Sequence, residues 1–200
     1  MEVQQPMSRV SALVVSLLAA GAAVSGMVQV PPTANPVVVI STSMGDVTVE
    51  LLEDRAPVSV ANFLRYLQDG HYEGTIFHRV VRGMVIQGGG YDARLAEKPT
   101  RPPILNEATN GLRNLRGTVA MARTRALRSA TSQFYINVGN NPEFDHRGYT
   151  PSDFGYAVFG RVIAGMEVVD KIGAVPTRAV GDMEDVPVEP VVIRKVSVKE

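Results

Sequence analysis

Cysteine is absent from all 200 residues, which excludes disulfides, thiolate catalysis and cysteine-ligated metals. Net charge is absent as well. Twenty Lys and Arg offset 20 Asp and Glu, so no bulk electrostatic attraction favours nucleic acid or an anionic membrane. The three histidines, His71, His78 and His146, lie far apart and no H-E-x-x-H links them, so neither a metal site nor a cofactor is expected. No G-x-S-x-G elbow exists, and a serine-hydrolase reading fails at its first requirement. Gly88-Gly89-Gly90 lacks both the G-x-G-x-x-G spacing and a helix directly after it; it reads as close backbone packing at a barrel bend instead of a phosphate cradle.

Long hydrophobic runs are equally scarce. The one apolar run of note, Ser11 to Val24, has the length of a signal-peptide h-region and falls short of the ~20 residues that span a bilayer. Small residues Ala23, Ser25 and Gly26 follow it. Residues 1–25 are therefore expected to be an export signal or, if uncleaved, an N-terminal anchor. A start at Met7 would remove Glu2 and improve the n-region. Residues 26–36, with Pro31, Pro32 and Pro36, read as a flexible tether, and residues 37–200 as a single domain.

Within that domain most segments are short and β-like. VVVIST, a turn at Ser43–Asp46 and VTVELL form a hairpin pattern in which Val47, Val49 and Leu51 alternate with polar residues. Pro57 suits a first helical turn, Val60, Phe63, Leu64 and Leu67 make a helical stripe, and Gly70 ends it, which predicts a helix over Pro57–Asp69. GTVAMAR, QFYINV, YAVFGRVI and VVIRKVSV add strands, and a second short helix falls near Met166–Ile172. Many strands with two helices argue for a closed or sandwiched antiparallel sheet. Two long polar segments, 91–111 and 139–155, exceed what a connection needs and are the expected carriers of function. Five arginines between Arg113 and Arg128, without an acid among them, read as a solvated face, since no aromatics interleave them for nucleic acid.

The stretch FHRVVRGMVIQGGG, Phe77 to Gly90, places charge inside an apolar strand. Strand parity puts Phe77, Arg79 and Val81 on one face and His78 and Val80 on the other. Two readings of Arg79 stand side by side on this pattern: a functional donor, or an arginine paired with a surface carboxylate. His78 reads as a core histidine donating to a backbone carbonyl.

GTIFHRVVRGMVIQGGG, GTVAMAR, ATSQFYINV and FGYAVFGRV, in that order, resemble the cyclophilin family of peptidyl-prolyl cis-trans isomerases, in particular its bacterial exported members. The resemblance runs from about Val37 to the C-terminus. It implies a mainly β fold, a closed eight-stranded antiparallel barrel capped by two α-helices. It also implies isomerisation of Xaa-Pro bonds, with Arg79 as catalytic donor and Gln87 as its support. By family position Met84, Val85, Gln133, Tyr135, Phe144 and Tyr156 would bind substrate, and the chain before proline would lie along Ala122, Arg123 and Thr124. Proline-containing peptides and unfolded exported proteins are the implied partners. A periplasmic monomer is expected, with membrane contact only through an uncleaved N-terminus. Arg82, Met84 and Val85 replace the family's usual proline, phenylalanine and methionine, Tyr135 stands at a phenylalanine position, and Glu143 takes an aromatic one. Those departures suggest reduced activity or altered residue preference and weak cyclosporin recognition, and they leave open a proline-binding module or chaperone with little catalysis.

Overall fold

The computed structural model describes residues 34–199; the expected signal or anchor, 1–25, and the tether up to residue 33 lie outside the described residues. The described chain opens with β1 (Val37–Thr42) and β2 (Gly45–Leu51), paired antiparallel from Val37↔Glu50 to Thr42↔Gly45. Helix α1 (Pro57–Gln68) follows, then β3 (Thr75–Val81), β4 (Val85–Asp92), β5 (Thr118–Met121), β6 (Phe134–Asn137) and β7 (Val158–Ala164). Helix α2 (Met166–Gly173), β8 (Thr177–Val180), β9 (Met183–Pro187) and β10 (Ile193–Val198) complete it.

Eight strands form one sheet in the order β10-β1-β2-β7-β5-β6-β4-β3, antiparallel throughout, while β8 and β9 make a separate hairpin. The two edge strands come together: the Gly74 amide donates to the Ile193 carbonyl at 2.9 Å and the Phe77 amide to the Val191 carbonyl at 3.0 Å. Closure of this kind removes most of the exposed edge that an open sheet would present. The result is the nearly closed eight-stranded barrel with two helices expected from the sequence. The β8–β9 hairpin was not foreseen; TRAV is largely exposed, and MEDVP is exposed at Glu184 but buried at Val186 and Pro187.

Helix α1 has Pro57 at its start, where a missing N–H costs nothing. Its own N-cap residue, Ala56, offers no side-chain acceptor. Glu107 supplies one from 48 residues away, accepting from the Ser59 amide at 2.8 Å and the Val58 amide at 3.0 Å. A carboxylate there also opposes the positive end of the helix dipole. The helix buries Val60, Phe63 and Tyr66 against the barrel. Phe63 lies at the centre of an aromatic cluster, stacked on Tyr72 at 4.8 Å and edge-on to Phe134 at 5.5 Å, with Phe159 also at 5.5 Å.

The β3–β4 register shifts twice, between Thr75 and Phe77 and again between Phe77 and Arg79. The second shift runs from Phe77↔Gly88 to Arg79↔Gln87. Such a bulge shifts side-chain direction by one residue. Phe77 therefore does not share a face with Arg79: it is fully buried in the core with Val80, whereas Arg79 looks outward and is 43% exposed.

Replacing Phe63 by Ala is expected to destabilise the domain by about 3–5 kcal/mol, the range for emptying a buried aromatic site. Urea unfolding followed by circular dichroism measures this, and a loss under about 1 kcal/mol would show that α1 is not anchored through this ring.

Candidate active site on the outer face of the barrel

Two neighbouring rows of residues run sideways across four strands. Val80, Ile86, Ile136 and Val119 pair successively across β3, β4, β6 and β5, and all four belong to the main core. The next row is Arg79, Gln87, Tyr135 and Ala120, paired in the same way. Residues opposite one another in an antiparallel sheet share a face, and adjacent rows take opposite faces. The pleat thus sends the first row into the barrel and the second to its outside.

On that outer face Val85, Ala120, Tyr135 and Val158 form a second apolar cluster, separate from the core, with Met84, Ala122, Phe144 and Tyr156 packed on it. Three aromatic rings meet edge to face: Tyr135 to Phe144 at 5.7 Å, Tyr135 to Tyr156 at 5.8 Å and Phe144 to Tyr156 at 5.1 Å. Phe144 sits in a 3-10 turn, Pro142–Phe144, and the exposed Glu143 beside it does not belong to the cluster.

The polar half of the site adjoins this patch. Arg79 Nη1 donates to Gln87 Oε1 at a long 3.4 Å, and Gln87 Nε2 donates to Gln133 Oε1 at 3.0 Å. A cavity of about 360 Å3 is lined by Gln87, Ala122, Arg123, Thr124 and Gln133. The Arg123 side chain is tied down: Nε donates to the Gly155 carbonyl, Nη1 to the Thr124 carbonyl and Nη2 to the Pro151 carbonyl, each at 2.9 Å, with the guanidinium 4.7 Å above the Tyr156 ring. Every site residue expected from the sequence is therefore gathered in one region, an apolar patch and a polar cavity joined through Gln87 and Tyr135.

Asn114 escaped sequence reasoning, because a lone asparagine in a polar loop carries no pattern. It is 1% exposed, its Oδ1 accepts from the Tyr135 hydroxyl at 2.8 Å, and its Nδ2 donates to the Phe144 carbonyl at 3.0 Å. Asp145 accepts from the Asn114 amide at 2.6 Å and from Arg113 Nε at 3.0 Å. One buried amide thus fixes two of the three rings. Burial holds the Tyr135 phenol far above its ordinary range, so it remains a donor. Of the five clustered arginines, Arg113 pairs with Asp145, Arg116 pairs with Asp170 and Arg123 grips carbonyls, in place of a phosphate-binding stripe.

The triple glycine is a packing device. A Cβ on Gly88 would stand 2.9 Å from the Ile76 carbonyl oxygen, and one on Gly90 would stand 2.5 Å from the Gln133 side chain. The second contact matters to the site, because a larger residue at 90 would displace Gln133. His78 is 4% exposed and stacks obliquely on Tyr91 at 4.6 Å, but its Nδ1 has no hydrogen-bond partner. The burial expected of a core histidine is present, and Nδ1 makes no bond to a backbone carbonyl.

A nearly closed antiparallel barrel carrying an arginine–glutamine pair beside an apolar patch on its outer face is the class that fold and site define. The model of the cyclophilin type peptidyl-prolyl cis-trans isomerases matches residues 37–198, and the chain belongs to that family. It is 52% identical over 161 residues to peptidyl-prolyl cis-trans isomerase A of Dickeya dadantii, covering 80% of this chain and 83% of that one. Identity to peptidyl-prolyl cis-trans isomerase B of Escherichia coli is 49% over 163 residues, covering 82% and 99%. Among solved structures, a Cryptosporidium parvum cyclophilin type isomerase superposes with a TM-score of 0.67 at 25% identity, covering 83% of this chain and 98% of that one. The same parasite protein in the presence of the dipeptide Ala-Pro matches equally well, with a TM-score of 0.67.

Burial, its largest cause, lowers the His78 pKa to about 4, against weaker upward effects of the Ile76 carbonyl and Gln133. The unfolded chain takes up that proton near pH 6.5, so between about 6.5 and 4 the unfolded state binds more protons and stability falls as pH falls. The loss attributable to His78 is roughly 3 kcal/mol over that window. Denaturation midpoints from pH 7 to 4 should decline less steeply for His78→Gln than for the wild type. Parallel curves would show that His78 is not held neutral. His71, also lowered by burial, keeps a residual slope of the same sign in both proteins.

Proposed function

We propose that Arg79 and Gln87, beside the Met84–Val85–Tyr135–Phe144–Tyr156 patch, catalyse rotation about Xaa-Pro bonds in polypeptides exported from the cytoplasm. The isomerase activity itself follows from family membership. The observation that carries the residue assignment is the outward row in which Arg79 and Gln87 adjoin Tyr135, a charged donor at the margin of an apolar patch.

Rotation requires loss of amide conjugation, a barrier of ~18–20 kcal/mol, and uncatalysed Xaa-Pro steps take about 10–100 s. No covalent intermediate is needed. As the bond twists, the prolyl nitrogen becomes pyramidal and regains a lone pair. A donor aimed at that nitrogen binds the twisted state better than either planar one, and this differential lowers the barrier. Arg79 suits the task because its guanidinium stays charged and offers several donors in a fixed plane. Gln87 accepts from Nη1 across 3.4 Å and is itself steadied by Gln133.

One charge-assisted hydrogen bond contributes ~1.5–3 kcal/mol, or roughly 10- to 150-fold in rate. The remainder is assigned to the apolar patch. It holds the proline ring and keeps water from the twisting bond, which strengthens the Arg79 interaction by lowering the local dielectric. The peptide before proline lies in the cavity along Ala122, Arg123 and Thr124. Locking of the Arg123 side chain on the Gly155 and Pro151 carbonyls keeps that wall in place. The structure of a similar protein in the presence of the dipeptide Ala-Pro supports proline-containing peptides as ligands.

The exported location rests on the apolar run Ser11–Val24 followed by small residues. Residues 1–25 then act as the signal and 26–36 as the tether of a domain over 37–200 that works as a monomer on unfolded chains. Cell fractionation with N-terminal sequencing should find a periplasmic chain beginning near residue 26; recovery of the intact N-terminus in membranes would establish an anchor instead.

Arg79→Ala should lower kcat/KM for an Ala-Pro-containing test peptide by at least about 10-fold, as measured by NMR exchange. Unchanged turnover would remove Arg79 from the chemistry, and binding without turnover in the wild type would favour a peptide-holding module. Weak cyclosporin inhibition is expected from Glu143, and a submicromolar response would show that Phe144 takes the aromatic role.

A further inference from the structure

The β8–β9 hairpin lies against β3 and brings Asp185 to the catalytic arginine, with Oδ2 3.9 Å from Arg79 Nε. Asp185 has φ of +57°, one of two non-glycine residues among those described in the left-handed region. Asp tolerates that conformation better than most side chains, and strained backbone of this kind persists where neighbouring structure holds it. Val186 and Pro187, which follow directly, are buried and fix the strand that carries the carboxylate.

The three nitrogens of Arg79 thus have distinct surroundings. Nη1 faces Gln87, Nε faces Asp185, and Nη2 has no protein partner among the described residues. At 3.4 Å the Gln87 contact is too long to define a guanidinium plane alone. A carboxylate 3.9 Å from Nε is beyond hydrogen-bond reach but attracts that edge electrostatically, which favours the orientation that leaves the Nη2 edge for the twisting nitrogen.

We propose that Asp185 is a positioning residue that orients Arg79, so that the β8–β9 hairpin is part of the catalytic apparatus. This rests on the reading of Arg79 as the donor. It also unites the two readings open at the sequence level, since the surface carboxylate that pairs with Arg79 is the one that aims it.

Asp185→Asn keeps the shape and the left-handed preference while removing the charge. Four proteins, wild type, D185N, R79A and the double variant, are compared for turnover and KM on one Ala-Pro-containing peptide, for thermal midpoint, and for the NMR signal of Arg79 Nε–H. The expected result is about a 5-fold loss of kcat/KM in D185N, carried by kcat with KM unchanged, the size of one partly exposed ion pair. The Arg79 Nε–H signal should shift or broaden, and D185N should cost nothing further in the R79A background. Full activity in D185N, an unmoved Nε–H signal, or the same fold loss with and without Arg79 would overturn the proposal. Wild-type activity in R79A alone would be a different failure, that of Arg79 as donor.

Discussion

The pleat of four adjacent strands, β3, β4, β6 and β5, governs both halves of this protein. Because side chains alternate across a sheet, one register decides that Val80, Ile86, Ile136 and Val119 fill the barrel while Arg79, Gln87, Tyr135 and Ala120 stand outside it. A slip by one residue would bury the guanidinium and expose the core row together. Stability and chemistry are therefore coupled through the same pairing. The barrel must be filled from within for the outer row to hold still, and the Phe63 cluster with Tyr72, Phe134 and Phe159 does that filling.

Polar side chains taken from long loops complete the site. Asn114, buried and nearly saturated with hydrogen bonds, ties the Tyr135 hydroxyl to the Phe144 backbone, and Asp145 holds Asn114 in turn. Glu107 caps a helix 48 residues earlier. Arg123 clips the loop before β7 to the end of β5. These contacts join segments that have no regular structure of their own, and buried polar atoms left without them would each cost about 1–3 kcal/mol. Of these residues, Glu107 lies in the first long polar segment and caps α1, while Phe144 and Asp145 lie in the second, beside the apolar patch.

Rotating a proline bond asks little of a protein chemically and much of it geometrically. One donor must meet one nitrogen as it becomes pyramidal, in a place where water is scarce. In the proposed site the arrangement around Arg79 is one of placement: an amide oxygen near Nη1, a carboxylate near Nε, and an apolar patch alongside. Beside Met84 and Val85 stand three mutually packed rings, of which Phe144 is one. Methionine adapts its shape at some cost in rigidity, and the rings supply the stiff surface that it lacks.

By itself the sequence determined the class of fold, the helix beginning at Pro57, most strands of the barrel and the set of candidate site residues. Those features arise from local periodicity, from turn and cap chemistry, or from ordered motifs that a chain carries openly. Only the tertiary structure decided that Phe77 is core while Arg79 is not, because a bulge between them breaks the parity that a regular strand would keep. It alone placed Asn114 beneath two rings, Glu107 on a distant helix and Asp185 beside Arg79. These pairings cross 21 to 106 positions of chain, and nothing in local composition marks which polar side chain will meet which partner once the barrel closes.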